Sequence, residues 1–495
     1  MIKTNNNIIR VKMNYFTKLI LIFITGFLYS QEKILTLSDC IAIGKTNSPS
    51  AKIATSEFES SRLGYESFKT GLGPKISFGG QVPNLTRSIR EFDISVDDTL
   101  KTIFIPQNQS NSNLGISVSQ SIPYTGGSIF TSSSITRQDD FSNEHIVSWQ
   151  ATPFTLGYSQ PLFKFNNLKW TKTIEFKKLK LAEQQYLEDM EDIASDITNL
   201  FFTLYISKIQ LDNAKFNIGV NDTIHAISKG RYAVGKIAEN DLLRSELASM
   251  NSQNTLERNR LNYQRNYEAL KLALGMYQNE QFQIVLPDKL AELKIDPDFV
   301  IRQARENRSQ YLSFDIQEVT AEKNVEEARK NRWFSADIYA SVGYNQTADN
   351  FDDIYNDPLK TESFSLGFEF PLTQKGKKLS YLKTLQDQEK TRQSIFKTQT
   401  TFEQQLEYQV KEFQLLTQQL EIASRSDTIA ILQFKVAKER YLIGKIDISN
   451  LFFAQNDLDN THRQYYQTLK DYWVAYYRLR QMTLYDFEND KKITL

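Results

Sequence analysis

The 495-residue sequence holds one cysteine and three histidines, and that scarcity argues against most redox and metal chemistry. Cys40 has no second thiol for an internal disulfide. His145, His225 and His462 lie far apart in sequence, with no Cys, Asp or Glu at ligand spacing, so no metal or cofactor is expected. Net charge is missing too: 59 Lys and Arg balance 59 Asp and Glu, whereas a dedicated nucleic-acid binder needs a basic excess. Catalytic signatures are lacking: there is no G-x-S-x-G, no H-E-x-x-H and no Cys-His pairing. Gly44-Lys-Thr46 imitates the end of a phosphate loop, but Asp39 stands where that loop needs its first glycine. An enzyme is not expected.

Long apolar runs are also missing, with one short exception. Leu19 to Tyr29 is an 11-residue apolar stretch preceded by Lys12 and Lys18 and followed by Ser30-Gln31. This is the pattern of a secretory signal peptide over residues 1–30, with translation starting at Met1 or Met13. The alternative is an uncleaved anchor, although the run falls short of the roughly 20 residues that span a bilayer. The mature chain then leaves the cytoplasm with no transmembrane helix. If it enters a membrane, it must do so as a closed β-barrel, since hydrocarbon satisfies no open backbone. A mean hydropathy of −0.46 beside 24 Tyr and 32 Phe suggests aromatic surface that meets something other than water.

Proline is sparse and unevenly placed. The 11 prolines leave two free blocks, 162–286 and 372–495, of 125 and 124 residues. Because proline breaks helices, the blocks predict two long helical arms. Leu168 to Arg231 and Gly376 to Arg440 read as limbs of 64 and 65 residues, roughly 95 Å each at 1.5 Å per residue. Ile193, Ile197, Leu200 and Leu204, like Leu406, Val410 and Phe413, follow coiled-coil spacing. Beyond each glycine a shorter limb returns, about Asn240 to Leu274 and about Ser449 to Tyr485.

Between the arms the period changes to two. Ile338, Ala340, Val342 and Tyr344 alternate with Asp337, Tyr339, Ser341 and Gly343, and Phe364, Leu366, Phe368 and Phe370 alternate with Ser365, Gly367 and Glu369. These read as strands joined by an exposed loop, 345–361. Ile76 to Val82, Leu114 to Ile122, Ser128 to Thr136 and Phe154 to Gln160 have the same texture, with a candidate hairpin turn at Tyr124-Thr-Gly-Gly127. The apolar face of such strands turns to a core in a soluble sandwich and to lipid in a membrane barrel; periodicity alone does not separate the two.

Two internal matches organise the chain. Arg231 to Ile237 (RYAVGKI) recurs as Arg440 to Ile446 (RYLIGKI) at an offset of 209, and Leu156 to Leu162 (LGYSQPL) recurs as Leu366 to Leu372 (LGFEFPL) at 210. A shared offset marks a tandem duplication. The first repeat is taken as 31–290, with strands about 74–162 and a helical hairpin about 168–275. The second is taken as 291–495, with strands about 333–371 and a hairpin about 376–485.

With Leu35 to Ile43 and Asn47-Ser-Pro49 at its start, the strand exits LGYSQPL and LGFEFPL, and the paired RYxxGKI turns, the chain resembles the TolC-type outer-membrane efflux channel family. The resemblance implies a mainly α protein with membrane β-structure. Its long helical hairpins would build a periplasmic α-barrel, and its strands would contribute to a trimeric outer-membrane β-barrel. It further implies a homotrimer in outer-membrane lipid, a periplasmic adaptor protein and an inner-membrane efflux pump or ABC transporter, with no nucleic-acid partner. The family pattern is four strands per protomer; the extra candidate hairpin here makes six an alternative.

The resemblance also places functional residues. Val234, Gly235, Lys236, Ile443, Gly444 and Lys445 would be the tips that meet the adaptor. Acidic residues six past each turn glycine would ring the gate: Asp241 in the first copy, but Asn450 in the second, where the next acidic position is Phe453. Asp447 lies close enough to substitute, Tyr441 matches a tyrosine of the closing network, and cation preference should be weaker than with two complete rings. The structural alternatives are a glycine helix cap and an Asp241 that assists the start of a helix. The cluster Tyr465, Tyr466, Tyr472, Trp473, Tyr476 and Tyr477 reads as packing on the last helix. Two other classes remain open at this point: a secreted or periplasmic structural coiled-coil protein without channel activity, and a surface hydrolase on a helical scaffold.

Overall fold

The computed structural model describes residues 33–96, 99–142, 144–277, 281–287, 293 and 295–495. The signal peptide expected at residues 1–30 lies outside them. Contacts divide the chain into two compact units. One gathers the described part of Met1–Ser56 with Tyr186–Arg308 and Glu403–Leu495; the other gathers Glu57–Gln185 with Ser309–Phe402.

In chain order the elements are β1 (Lys33–Leu35), α1 (Leu37–Asn47), α2 (Pro49–Gly71), β2 (Lys75–Val96), β3 (Thr99–Ser121), β4 (Ser128–Asp140) and β5 (Ile146–Leu162). Then come α3 (Asn167–Ala233), α4 (Glu239–Ala273), β6 (Phe282–Ile284), α5 (Pro297–Asn307), α6 (Ser309–Lys330), β7 (Ser335–Ala348) and β8 (Leu359–Glu369). The chain closes with α7 (Gln374–Leu442), α8 (Ile448–Thr483), β9 (Tyr485–Asp486) and β10 (Lys491–Lys492). The two proline-free blocks thus contain the four longest helices, for the steric reason that predicted them. Among the described residues no helix is long and apolar enough to cross a membrane.

The second unit is built on one sheet, in the order β2-β3-β4-β5-β7-β8, with every neighbouring pair antiparallel. Six strands replace the four of the resembled pattern. The additional pair arises because Ile122 to Gly127 turns β3 back into β4: Gly126 donates to the Ile122 carbonyl and Ile122 to that of Gly127, both at 2.8 Å. β2 and β3 also run much further than the apolar segments first suggested, pairing from Lys75 with Ser119 out to Val96 with Thr99. The loop expected at 345–361 is shorter. Its first four residues continue β7, Leu359 already starts β8, and Ile354 between them is buried beside a 3-10 turn at Phe351–Asp353.

The core of the first unit lies along the long helices. Phe201, Phe202, Ile197 and Leu204 of α3 are fully buried, as are Leu406, Val410 and Phe413 of α7. The aromatic cluster packs here: Tyr472 lies 4.9 Å from Phe413, ring centre to ring centre, and Trp473 lies 5.8 Å from Tyr476. Gly44 owes nothing to phosphate binding. A Cβ there would meet Ile197 Cδ1 at 1.9 Å, so glycine lets α1 lie against α3. Lys45 then reaches buried Glu191 at 2.6 Å, and Asp39 forms a capping box with Thr36.

Candidate functional site

Strand register sorts the sheet into two chemically opposite faces, because residues directly across a ladder share a face. One row runs Ile76, Val118, Thr131, Leu156, Val342; another runs Ile129, Tyr158, Ala340, Phe364. Residues on this face stay bare, with Ile76, Phe78, Phe364 and Phe368 between 70% and 76% exposed. A row on the opposite face runs Ser77, Ser117, Ser132, Thr155, Gly343, Thr361. Within it Ser77 and Ser117 hydroxyls bond at 2.7 Å. One face of the sheet is therefore mainly apolar and exposed, and the other mainly hydroxyl-bearing with Phe130 stacked on Tyr339 at 5.9 Å, the reverse of a soluble sheet that hides its apolar side. Both edges, β2 and β8, lack a neighbour among the described residues.

In the first unit the two glycine turns are built alike. Gly235 (φ 69°) and Gly444 (φ 73°) occupy the left-handed region that glycine enters without strain. Gly235 donates to Tyr232 O at 2.9 Å and Lys236 to Arg231 O at 2.8 Å; Gly444 donates to Tyr441 O and Lys445 to Arg440 O, both at 2.9 Å. This is the Schellman closure of a helix C-terminus, made twice. Val234 and Ile443, at equivalent positions, protrude into solvent.

Side chains break the symmetry. Arg231 Nη2 donates to the Tyr441 and Leu442 carbonyls, each at 3.2 Å, and its guanidinium lies 5.1 Å from the Tyr441 ring centre. Tyr441 is 4% exposed and its hydroxyl is 3.2 Å from Ser228 Oγ, whereas Tyr232 is 42% exposed. Three of the four residues expected at the gate, Asp241, Tyr441 and Asp447, line one cleft here, while Asn450 lies outside its lining. Asp241 shares one open cleft with Arg231, Lys236, Tyr441, Lys445 and Asp447. Asp447 caps α8: its Oδ1 accepts from the Asn450 backbone at 2.9 Å and its Oδ2 from the Asn450 side chain at 3.1 Å. The matching residue 209 positions earlier, Ala238, gives α4 no side-chain cap. Glu239 and Asp241 fill that first turn with negative charge instead.

Further along the helices α3 meets α8 through polar contacts. Asn217 donates to Asp459 at 2.8 Å and Asn221 to Ser252 of α4 at 2.6 Å, beside Phe452, Gln455 and Asn456. Burial holds the Asp459 carboxyl above its usual range. Among the described residues no group of His, Cys, Asp and Glu is placed to hold a metal ion.

An exposed apolar sheet with a polar reverse face, carried with two long glycine-closed helical hairpins, defines a channel protein whose strands line a membrane pore. The outer membrane efflux protein family model matches residues 99–276 and 300–483, one segment in each repeat, and the chain belongs to that family. Its role is that of a passive outer-membrane channel-tunnel, not an enzyme. Solved structures share the fold at low identity. CusC is 14% identical over 90% of this chain and 91% of its own, with a TM-score of 0.64. The Campylobacter jejuni CmeC outer membrane channel is 14% identical over 92% and 88%, also at 0.64. VceC from Vibrio cholerae is 13% identical over 90% and 95%, at 0.61. No curated protein matches the sequence.

Proposed function

We propose that three copies of this chain form one outer-membrane duct that passively exports small molecules, drugs or secreted proteins. The cargo is handed over by a periplasmic adaptor and an inner-membrane pump or ABC transporter. The observation that carries the reading is the sheet. An apolar face this exposed costs about 25 cal/mol per Å² in water and belongs against lipid. An open edge is not tolerated in lipid, so β2 and β8 must find partners.

The number of strands is even, so β2 and β8 run in opposite directions. β8 of one copy therefore joins β2 of the next as another antiparallel pair. Three copies of six strands make eighteen, a size that leaves a water-filled bore. The same exposed face weighs against a soluble structural coiled coil, which would have no use for it.

On this reading the exposed tips Val234-Gly235-Lys236 and Ile443-Gly444-Lys445 receive the adaptor, and Asp241, Tyr441, Asp447 and Asn450 stand at the gate. Replacing Gly235 and Gly444 by leucine tests the handover. Export of a dye by intact cells should be lost while a heat-modifiable trimer remains in the outer membrane fraction. Undiminished export from that trimer would refute the tip assignment.

A further inference from the structure

The end of the sheet that carries the helices has one sign of charge. Four crossings meet there: α2 to β2, β5 to α3, α6 to β7 and β8 to α7. The pairs Lys75 with Ser119, Leu162 with Ala336 and Ser335 with Glu369 mark that end along the ladder. At these crossings residues 69–75, 163–172, 329–334 and 370–378 hold eleven Lys and Arg and no Asp or Glu, in a chain whose totals balance. Acids just outside the segments pair with Lys69, Lys164 and Arg329, and among the described residues none pairs with the other eight. At the far end the sign reverses: the β7–β8 connection, 349–357, has four Asp and no Lys or Arg.

The lysines also stand against a local rule. A helix N-terminus carries partial positive charge and favours acidic residues, yet the first turns of α3 and α7, both leaving the sheet at this end, hold no acid. Lys169 stands at the start of α3, and Lys375, Lys377 and Lys378 at the start of α7. Cations gathered on a positive helix end repel one another unless an anion joins them.

Aromatic rings are interleaved with these charges and lead onto the apolar face. Phe163 lies 5.9 Å from Phe334 and Phe334 lies 6.4 Å from Phe368, ring centre to ring centre, and Phe368 belongs to the exposed apolar side of the sheet. The Arg332 guanidinium lies 5.3 Å from the Trp333 ring centre and 4.5 Å from that of Tyr381. Its Nε is buried and has no hydrogen-bond partner among the described residues. Lys172 Nζ lies 5.4 Å from the Tyr124 ring centre. Rings beside cations are the composition of a membrane–water boundary, where the rings sit at headgroup level and basic side chains reach phosphate.

We infer that the helix-bearing end of the sheet is a basic collar that binds the anionic phospholipid headgroups of the adjoining leaflet. Lys172, Arg332, Lys375, Lys377 and Lys378 meet the phosphates, and the rings bed into the acyl boundary. The occupant is a negatively charged lipid surface, because the charges run without a break into an exposed apolar face for which a free phosphate ion has no use. The collar rests on the membrane reading above and adds to it which lipid class the chain selects, and at which end.

The test reconstitutes the purified full chain in phosphatidylcholine vesicles containing a trace of spin-labelled phosphatidylglycerol or spin-labelled phosphatidylcholine. At low salt the motionally restricted fraction of the phosphatidylglycerol label should exceed that of the phosphatidylcholine label by about twofold or more, and the excess should shrink as salt screens the collar. Lys375→Gln, Lys377→Gln and Lys378→Gln together should remove most of the excess. Arg332→Gln with Lys172→Gln is a second set that covers the case in which the first fails to assemble. Asp349→Asn with Asp352→Asn, at the opposite end, should leave the excess unchanged. Equal restriction of the two labels in the parent would overturn the collar and leave the membrane reading standing, whereas no restricted fraction of either label would overturn that reading as well. An excess undiminished in both glutamine sets, or lost in the Asp349 and Asp352 variant, would overturn the placement. An excess abolished by inorganic phosphate at constant ionic strength would assign the collar to the free ion instead.

Discussion

Arg231 and Tyr441, 210 positions apart, lock one glycine turn to the other: the guanidinium donates to the tyrosine carbonyl at 3.2 Å and stacks 5.1 Å from its ring centre. A charged hydrogen bond of this kind contributes about 1.5–3 kcal/mol. If the proposed gate lies at these turns, loss of the bond should favour its open form by tenfold or more. Arg231→Ala should raise single-channel conductance or open probability and sensitise cells to a large hydrophilic antibiotic. Arg231→Lys, which keeps charge without the fork, should lie between. Recordings identical to the parent would remove the pair from the closing contact.

On the proposed reading Asp241 is the carboxylate at the first-copy gate position, and its second-copy counterpart is Asn450. Asp447 is occupied by the Asn450 amide and backbone, so the ring contributed by Asp241 should dominate cation preference. Asp241→Asn should move the reversal potential in a salt gradient toward zero. Asp447→Ala should chiefly weaken the α8 cap, by about 1 kcal/mol. An unmoved reversal potential in Asp241→Asn would take that residue out of the gate.

A buried charge cluster fixes the last helix. Glu191, 1% exposed, accepts from Lys45 Nζ at 2.6 Å and Arg480 Nε at 2.9 Å, while Arg480 also meets Asp486 at 2.9 Å. Removing one partner of a buried pair costs about 3–5 kcal/mol. Arg480→Met should lower the thermal midpoint of the detergent-solubilised protein, and adding Glu191→Gln should restore part of it. Equal midpoints for the parent and Arg480→Met would show the cluster to be energetically neutral.

Much of the fold was legible because it follows from rules that act locally. Proline spacing marked the helical arms, period two marked the strand cores, and the repeated glycine turns marked where the arms reverse. The outer halves of β2 and β3 escaped because polar residues dominate Asn84 to Ser112 and Pro106 interrupts it, leaving only the short alternation Phe92-Asp93-Ile94-Ser95-Val96 as a strand signal. Register, set by pairing with a neighbour, is what shows that Ser77 and Thr361 share a face. Among the tip residues the glycines were readable from the chain alone. The unequal fates of Tyr232 and Tyr441 were not, because they depend on which side of the repeat Arg231 reaches across.

Strand order also gives an orientation. α6 enters β7 and α7 leaves β8 at one end of the sheet, and the exposed Asn350 sits in the connection at the other. Asn350→Cys should react with an impermeant maleimide on intact cells, whereas a cysteine at Thr125, in the β3–β4 turn at the helix-bearing end, should need permeabilised cells. The reverse pattern would invert the barrel.

The most direct measurement is the conductance of the purified, detergent-extracted trimer in a planar lipid bilayer. A sheet completed only by sister copies around a water-filled bore predicts discrete unitary steps of uniform size, raised in Arg231→Ala. A homogeneous trimer that inserts and passes no current, in the parent and in Arg231→Ala alike, would contradict it.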